Sequence, residues 1–111
     1  MSNTQVVSID AIRSLAGGSI TGTYAAVGGS LTEQVRLICF TNNTDGDVFF
    51  SDDGVNNKIF VAKSSFKLFD LTTNRQNRDQ IWCFPIGTQF YVKQSSATST
   101  GSVYIECLWG Q

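Results

Sequence analysis

The run at residues 102–109 constrains the fold more than any other part of the chain. Val103, Ile105, Cys107 and Trp109 alternate strictly with Ser102, Tyr104, Glu106 and Leu108. A period of two marks a strand with one face buried. Upstream, runs rich in apolar residues at 35–41, 47–51, 58–62, 65–71, 81–84 and 88–93 read the same way. Between them stand turn signals: Asn42 to Gly46, Asp52 to Asn57, a polar stretch at 72–80, the lone Pro85, and a Ser/Thr loop at 94–101. Asp and Asn beside Gly are what tight turns demand, because they tolerate left-handed backbone. Seven or so short strands predict an all-β fold, an antiparallel β-sandwich or a jelly-roll-like barrel. No amphipathic helix of useful length and no repeat of fixed period is present.

The chain changes character near residue 34. Before it, Asp10, Arg13 and Glu33 are the only charges, and five of the ten glycines are found there. With Ser, Thr and Ala filling most of the rest, residues 1–34 lack the large side chains to build a core alone. They read as an N-terminal arm or extension, and residues 35–111 as the β-sandwich domain. Within the arm, residues 11–16 after a capping Asp10 suggest one short helical turn. Residues 19–27 suggest an extended strand or an arm lying on a neighbour.

Composition excludes several functions. With 8 basic and 9 acidic side chains the net charge is -1, which argues against nucleic acid as a partner. Lys58, Lys63, Lys67, Arg75 and Arg78 do cluster around Phe60, Phe66 and Phe69, but as a solvated face balanced by Asp70 and Asp79. The absence of histidine removes Ser-His-Asp and Cys-His catalysis and every His-containing metal site. No catalytic motif appears, so no enzyme activity and no cofactor are expected. The carboxylates of Asp45, Asp47, Asp52 and Asp53 miss calcium-loop spacing and are read as turn residues, so no metal is expected. Cys39, Cys83 and Cys107 sit in apolar contexts without a C-x-x-C pair, as buried reduced thiols made in a reducing cytoplasm. No stretch is apolar and long enough to cross a membrane, and residues 1–10 do not read as a secretory leader.

What remains is an interaction protein. At 111 residues and 12.1 kDa the chain forms one domain with limited room to cover two sheet faces. Yet 65–71 carries Phe66 and Leu68 on one face, with Phe69 and Leu71 on the other. In the strand at 47–51, Phe49 opposes Val48 and Phe50. One face is core, and the second must meet another sheet or another chain. Phe49, Phe69, Tyr91 and Tyr104 alternate against more core-like neighbours and are the candidate interface residues.

The wording of the chain resembles small virion proteins of tailed bacteriophages. The phrases concerned are FTNNTDGD at 40–47, FSDDG at 50–54, FKLFDL at 66–71, FPIG at 84–87, VKQSS at 92–96 and GSVYIE at 101–106. LAGGSI at 15–20 and TYAAV at 23–27 are similar too, so the likeness covers most of the chain. In size and strand content it looks like the capsid decoration, or stapling, proteins of epsilon-type short-tailed phages of enteric bacteria. That resemblance implies a small β-sandwich or jelly-roll protein on the outer capsid surface of the virion, synthesised in the host cytoplasm. Its implied partners are the major capsid protein and further copies of itself. It carries over no site residue. A neck or tail adaptor, a fibre-base domain, or a carbohydrate- or receptor-binding sandwich with Tyr104 or Trp109 as a stacking platform would share the same fold physics.

Overall fold

The structure, a computed structural model, describes residues 7–70 and 84–110. Its strands are β1 (Val7–Ile9), β2 (Arg13–Ala16), β3 (Ala25–Ala26), β4 (Val35–Thr44), β5 (Val48–Ser51), β6 (Ile59–Val61), β7 (Ser65–Asp70), β8 (Tyr91–Gln94) and β9 (Gly101–Gly110). One sheet runs β1-β9-β4-β7, with β2 also pairing β9; the second runs β3-β8-β5-β6. Every pairing among the described residues is antiparallel. The expected β-sandwich is the fold. The barrel alternative is corrected: the sheets stay open, because among the described residues their edge strands find no partner across the gap.

The two long strands β4 and β9 are the spine of the larger sheet. Their alternation sends Ile38 and Phe40 inward from β4, and Val103, Ile105 and Cys107 inward from β9. The opposing sheet contributes Val48, Phe50, Val61 and Val92. Phe40 is the hub, with ring centroids 4.9 Å from Phe50, 5.3 Å from Phe90 and 5.8 Å from Phe69. The last two are edge-to-face, the arrangement the ring quadrupoles favour.

A polar residue also points inward. Asn42 is fully buried, yet its Nδ2 donates to Gly46 O at 2.8 Å and to Val61 O at 3.0 Å. Its Oδ1 accepts from Thr44 N at 3.0 Å and Thr44 Oγ1 at 2.5 Å. All its hydrogen-bonding capacity is used, which removes the cost of burying an amide and ties β4 to β6 in the other sheet. Beyond it the chain turns tightly. Gly101 has φ 76° and lies so close to the Asn43 carbonyl that no Cβ fits there. Only glycine satisfies both conditions.

The described part of the expected arm, residues 7–34, pairs with both sheets. In the described part, β2 pairs Arg13 to Ala16 with Ile105 to Ser102, and β3 pairs Ala25 and Ala26 with Val92 and Tyr91. Ile20, Val27 and Leu31 are core residues. Further backbone bonds secure the run: Gln94 N to Thr21 O (2.8 Å), Val27 N to Phe90 O (2.9 Å), Leu31 N to Thr88 O (2.8 Å) and Gly87 N to Leu31 O (2.7 Å). The helical turn expected at 11–16 is instead strand β2, because β9 offers an unpaired edge and both Arg13 and Leu15 gain burial there. The Asp10 carboxylate accepts from the next backbone N–H, Ala11 N, at 2.9 Å but caps no helix. A single 3-10 turn, Gly17–Ser19, follows β2.

Other boundaries shift by a few residues. The strand expected at 88–93 is Tyr91–Gln94, since residues 84–90 bridge between the sheets. The strand expected at 81–84 falls outside the described residues except for Phe84, which bridges to Val35. The polar stretch 72–80, with Arg75 and Arg78, and Cys83 and Trp82 also lie outside them. No helix of the described residues is long and apolar enough to cross a membrane.

Candidate functional site

A two-sheet sandwich has two outer faces, and they differ here. On the larger sheet, register places Leu37 between Leu108 and Asp70, Cys39 between Glu106 and Leu68, and Thr41 between Tyr104 and Phe66. Leu108 also meets Ile9, and Tyr104 meets Ser14. The outward side chains of five strands thus form one surface. Phe66 is 65% exposed, Leu68 54%, Ile9 80% and Ile12, on the link between β1 and β2, 57%. Leu37, Tyr104 and Leu108 are half-buried beside them. Glu106 is exposed in their midst.

The outer face of the smaller sheet has aromatic residues as well, but they are engaged with one another. Phe49 faces Phe60 across β5 and β6, with ring centroids 5.5 Å apart. Its neighbour on the other side is Lys93, whose Nζ stands 5.1 Å from the Tyr24 ring centroid. The Tyr24 hydroxyl donates to Asn57 Oδ1 at 2.5 Å and to Asn56 O at 3.3 Å. Burial, and then the charge of Asp53, raise the Tyr24 pKa, so it stays a neutral donor. Tyr91 is half-buried, with Gly54 of the next turn lying against its ring.

The four sequence-expected interface residues therefore scatter. Phe49 and Tyr91 lie on the smaller sheet, and Tyr104 on the larger. Phe69 points inward against Phe40, so the phase expected for β7 is reversed, with Phe66 and Leu68 outside. The reversal has a physical cause. Lys67 shares the inward phase of Phe69, but β7 is an edge strand and the ammonium escapes sideways into solvent. A charged residue therefore does not mark the outer face at this edge. Sequence reasoning misses Ile9, Ile12, Phe66 and Leu68 as surface residues. Alternation in 65–71 is the only signal, and it leaves the phase open when both faces are apolar.

The acidic residues shape turns. Asp53 Oδ1 accepts from Ser51 Oγ (2.6 Å), Val55 N (2.8 Å) and Asn56 N (2.9 Å). These bonds, led by the Ser51 hydroxyl, hold its pKa well below the carboxylate range. Asp45 accepts from Ser99 N (2.8 Å), Ser99 Oγ (2.7 Å) and Thr100 N (3.3 Å), and its pKa falls to about 2. Asp47 Oδ1 accepts from Lys63 N at 2.9 Å. Asp52 pairs with Lys58 at 2.6 Å. Asp45 and Asp47 thus tie one turn to another, while Asp52 and Asp53 brace their own.

Cys107 offers little nucleophilic power. Burial pushes the Cys107 thiol up to about 11, against the opposing pull of the Arg13 guanidinium 4.0 Å away. Cys39 is half-buried, with its sulfur 3.7 Å from Thr41 Oγ1. Among the described residues the distinctive feature is the apolar outer face of the larger sheet. No protein-family model matches the chain, and no similar curated protein or solved structure was found.

Proposed function

We propose that this chain is a non-enzymatic decoration, or stapling, protein that binds the outer shell of a tailed phage capsid and strengthens contacts between capsid subunits. The observation that carries the reading is the outer face of the larger sheet, which leaves Phe66, Leu68, Ile9 and Ile12 in solvent. Elsewhere Val55, Ile86 and Phe60 are also exposed, but Val55 and Ile86 stand outside the strands and Phe60 leans on Phe49. Among the described residues every buried side-chain nitrogen and oxygen has a hydrogen-bond partner. A rigid sandwich with one unsatisfied apolar face suits a part that gains stability by assembly. The kind of assembly comes from the resemblance of its wording to small virion proteins of tailed phages. Its partners on this reading are the major capsid protein and further copies of the chain, on the virion surface.

Quantitative mass spectrometry of purified virions of the encoding phage tests this. A copy number near that of the major shell protein, or a simple large fraction of it, is expected. A handful of copies per particle would instead indicate a neck or tail adaptor or a fibre base. Complete absence would sink the virion reading. Sugar-dependent fluorescence of Trp109 would then point to a carbohydrate-binding sandwich.

A further inference from the structure

We infer that the outer face of the five-stranded sheet is the docking surface, and that its occupant is a protein surface apolar in its main area with a basic side chain placed to meet Glu106. This rests on the decoration reading for its partner, the outer surface of the capsid shell, and adds which face binds and by what chemistry.

Area comes first. A free aromatic side chain offers roughly 200 Å². With somewhat less for Leu and Ile, the exposed fractions of Phe66, Leu68, Ile9 and Ile12 amount to on the order of 400 Å² of apolar surface. A stable interface buries about 800 Å² per partner, of which a little over half is apolar. The four residues, with half-buried Leu37, Leu108 and Tyr104 between them, supply that share from one continuous face.

Charge selects the occupant. Glu106 stands across from Cys39, which in turn stands across from Leu68, and its same-face neighbours along β9 are Tyr104 and Leu108. Among the described residues its carboxylate has no ion-pair partner. A carboxylate covered by an apolar partner must be paired, because desolvating it alone is costly. A second copy of this chain, packed face to face about a local two-fold through this patch, would set Glu106 near its own equivalent, a like-charge juxtaposition that association avoids. A partner carrying Arg or Lys within an apolar surface meets both demands. The smaller sheet offers less: Phe60, 40% exposed, is tilted against Phe49, and Lys93 is spent on Tyr24.

The test is rebinding of the purified full-length chain to heads from a phage deleted for it. Leu68→Glu, Phe66→Ser and Glu106→Lys are compared with wild type and with Phe60→Ser on the opposite face. Unchanged thermal unfolding of each variant shows that the fold is intact. Wild type and Phe60→Ser should bind within about twofold of each other, and each face variant should lose about tenfold or more. Face variants that bind like wild type would overturn the docking surface while leaving the decoration role intact. Sedimentation that shows the face variants losing self-association, with head binding retained, would overturn it in favour of a second copy. Wild type failing to bind heads would overturn the decoration reading itself, and this partner with it.

Discussion

The N-terminal segment through Leu31 and the strand block from Val35 to Asp70 reach the same core by different routes. The strand block announces itself through large alternating side chains. Ile38, Phe40, Val48 and Phe50 are each fully buried, and Phe40 touches three other rings. The N-terminal segment has few such side chains and compensates with backbone. Its β2 and β3 cover one edge of β9 and one of β8, and Ile20, Val27 and Leu31 are set at intervals along it. The clamp is Arg13, a buried cation whose Nε donates to Gly29 O at 2.9 Å, and whose NH2 nitrogen donates to Ser30 O at 3.3 Å. It also pairs with Asp10 at 3.1 Å. A segment rich in Gly, Ser and Thr can thus be integral to a fold when it pairs edges that would otherwise stay open.

The sharpest way to break this comparison is to remove the segment. Deleting residues 1–31 strips three strand pairings, β1 and β2 on β9 and β3 on β8, and three core side chains. Because a domain of this size is stable by only about 5–15 kcal/mol, the truncated chain is expected to lose cooperative unfolding altogether. Circular dichroism through a thermal ramp checks it. A truncated protein with a sharp transition would mean that the segment is an appendage after all.

Point substitutions then ask whether the two regions are equal partners in the core. Leu31→Ala and Ile20→Ala are expected to cost about 2–5 kcal/mol each, the same range as Ile38→Ala or Ile105→Ala. Urea titration measures all four. Costs below about 1 kcal/mol at Leu31 and Ile20 would show that the segment packs more loosely than its burial implies. Arg13→Ala comes next, at about 2–4 kcal/mol, since it removes a buried cation's packing and leaves the part-buried Gly29 and Ser30 carbonyls and the Asp10 carboxylate short of a donor. Arg13→Lys should recover less than half of that loss, because an ammonium cannot reach in the fork geometry the guanidinium uses.

The same contrast explains what can be read from the sequence. Strands with large side chains are legible: the alternation at 102–109 and the runs in 35–70 correspond to β9, β4, β5, β6 and β7. The roles of Arg13, Val27 and Leu31 are not. A pairing between residues 13–16 and 102–105 depends on contacts far apart in the chain, and short runs of Ser, Gly and Ala carry no periodic signal. Asn42 reads only as a turn residue, because its burial is visible only once the Gly46 and Val61 carbonyls are placed around it. At the candidate surface, Tyr104 is legible because its strand alternates strictly. Phe66 and Leu68 stand out as a pair, but nothing in the sequence sets them outside. Lys67 between them sits at an edge, where a long side chain reaches water from either phase.

The smallest expected effect concerns acid, and it separates the regions once more. The turn carboxylates of the strand block hold loops together only when ionised. Asp45 joins the β4–β5 turn to the approach of β9 by accepting from Ser99 and Thr100, and its folded pKa of about 2 lies below its ordinary 3.8. A depressed folded pKa means that the carboxylate's contribution is fully present above about pH 4 and disappears as pH falls through about 2. Asp45 is solvent-exposed, so the effect is modest, a shallow decline in Tm over that window. Asp45→Asn should lower Tm slightly at neutral pH and flatten the decline between pH 4 and 2, with the remaining slope carried by Asp53, whose pKa is also lowered. Scanning calorimetry of both proteins across the window reads this directly. A profile for the Asp45→Asn variant as steep as that of wild type would assign the acid sensitivity to other groups and remove Asp45 as the tie between the two loops.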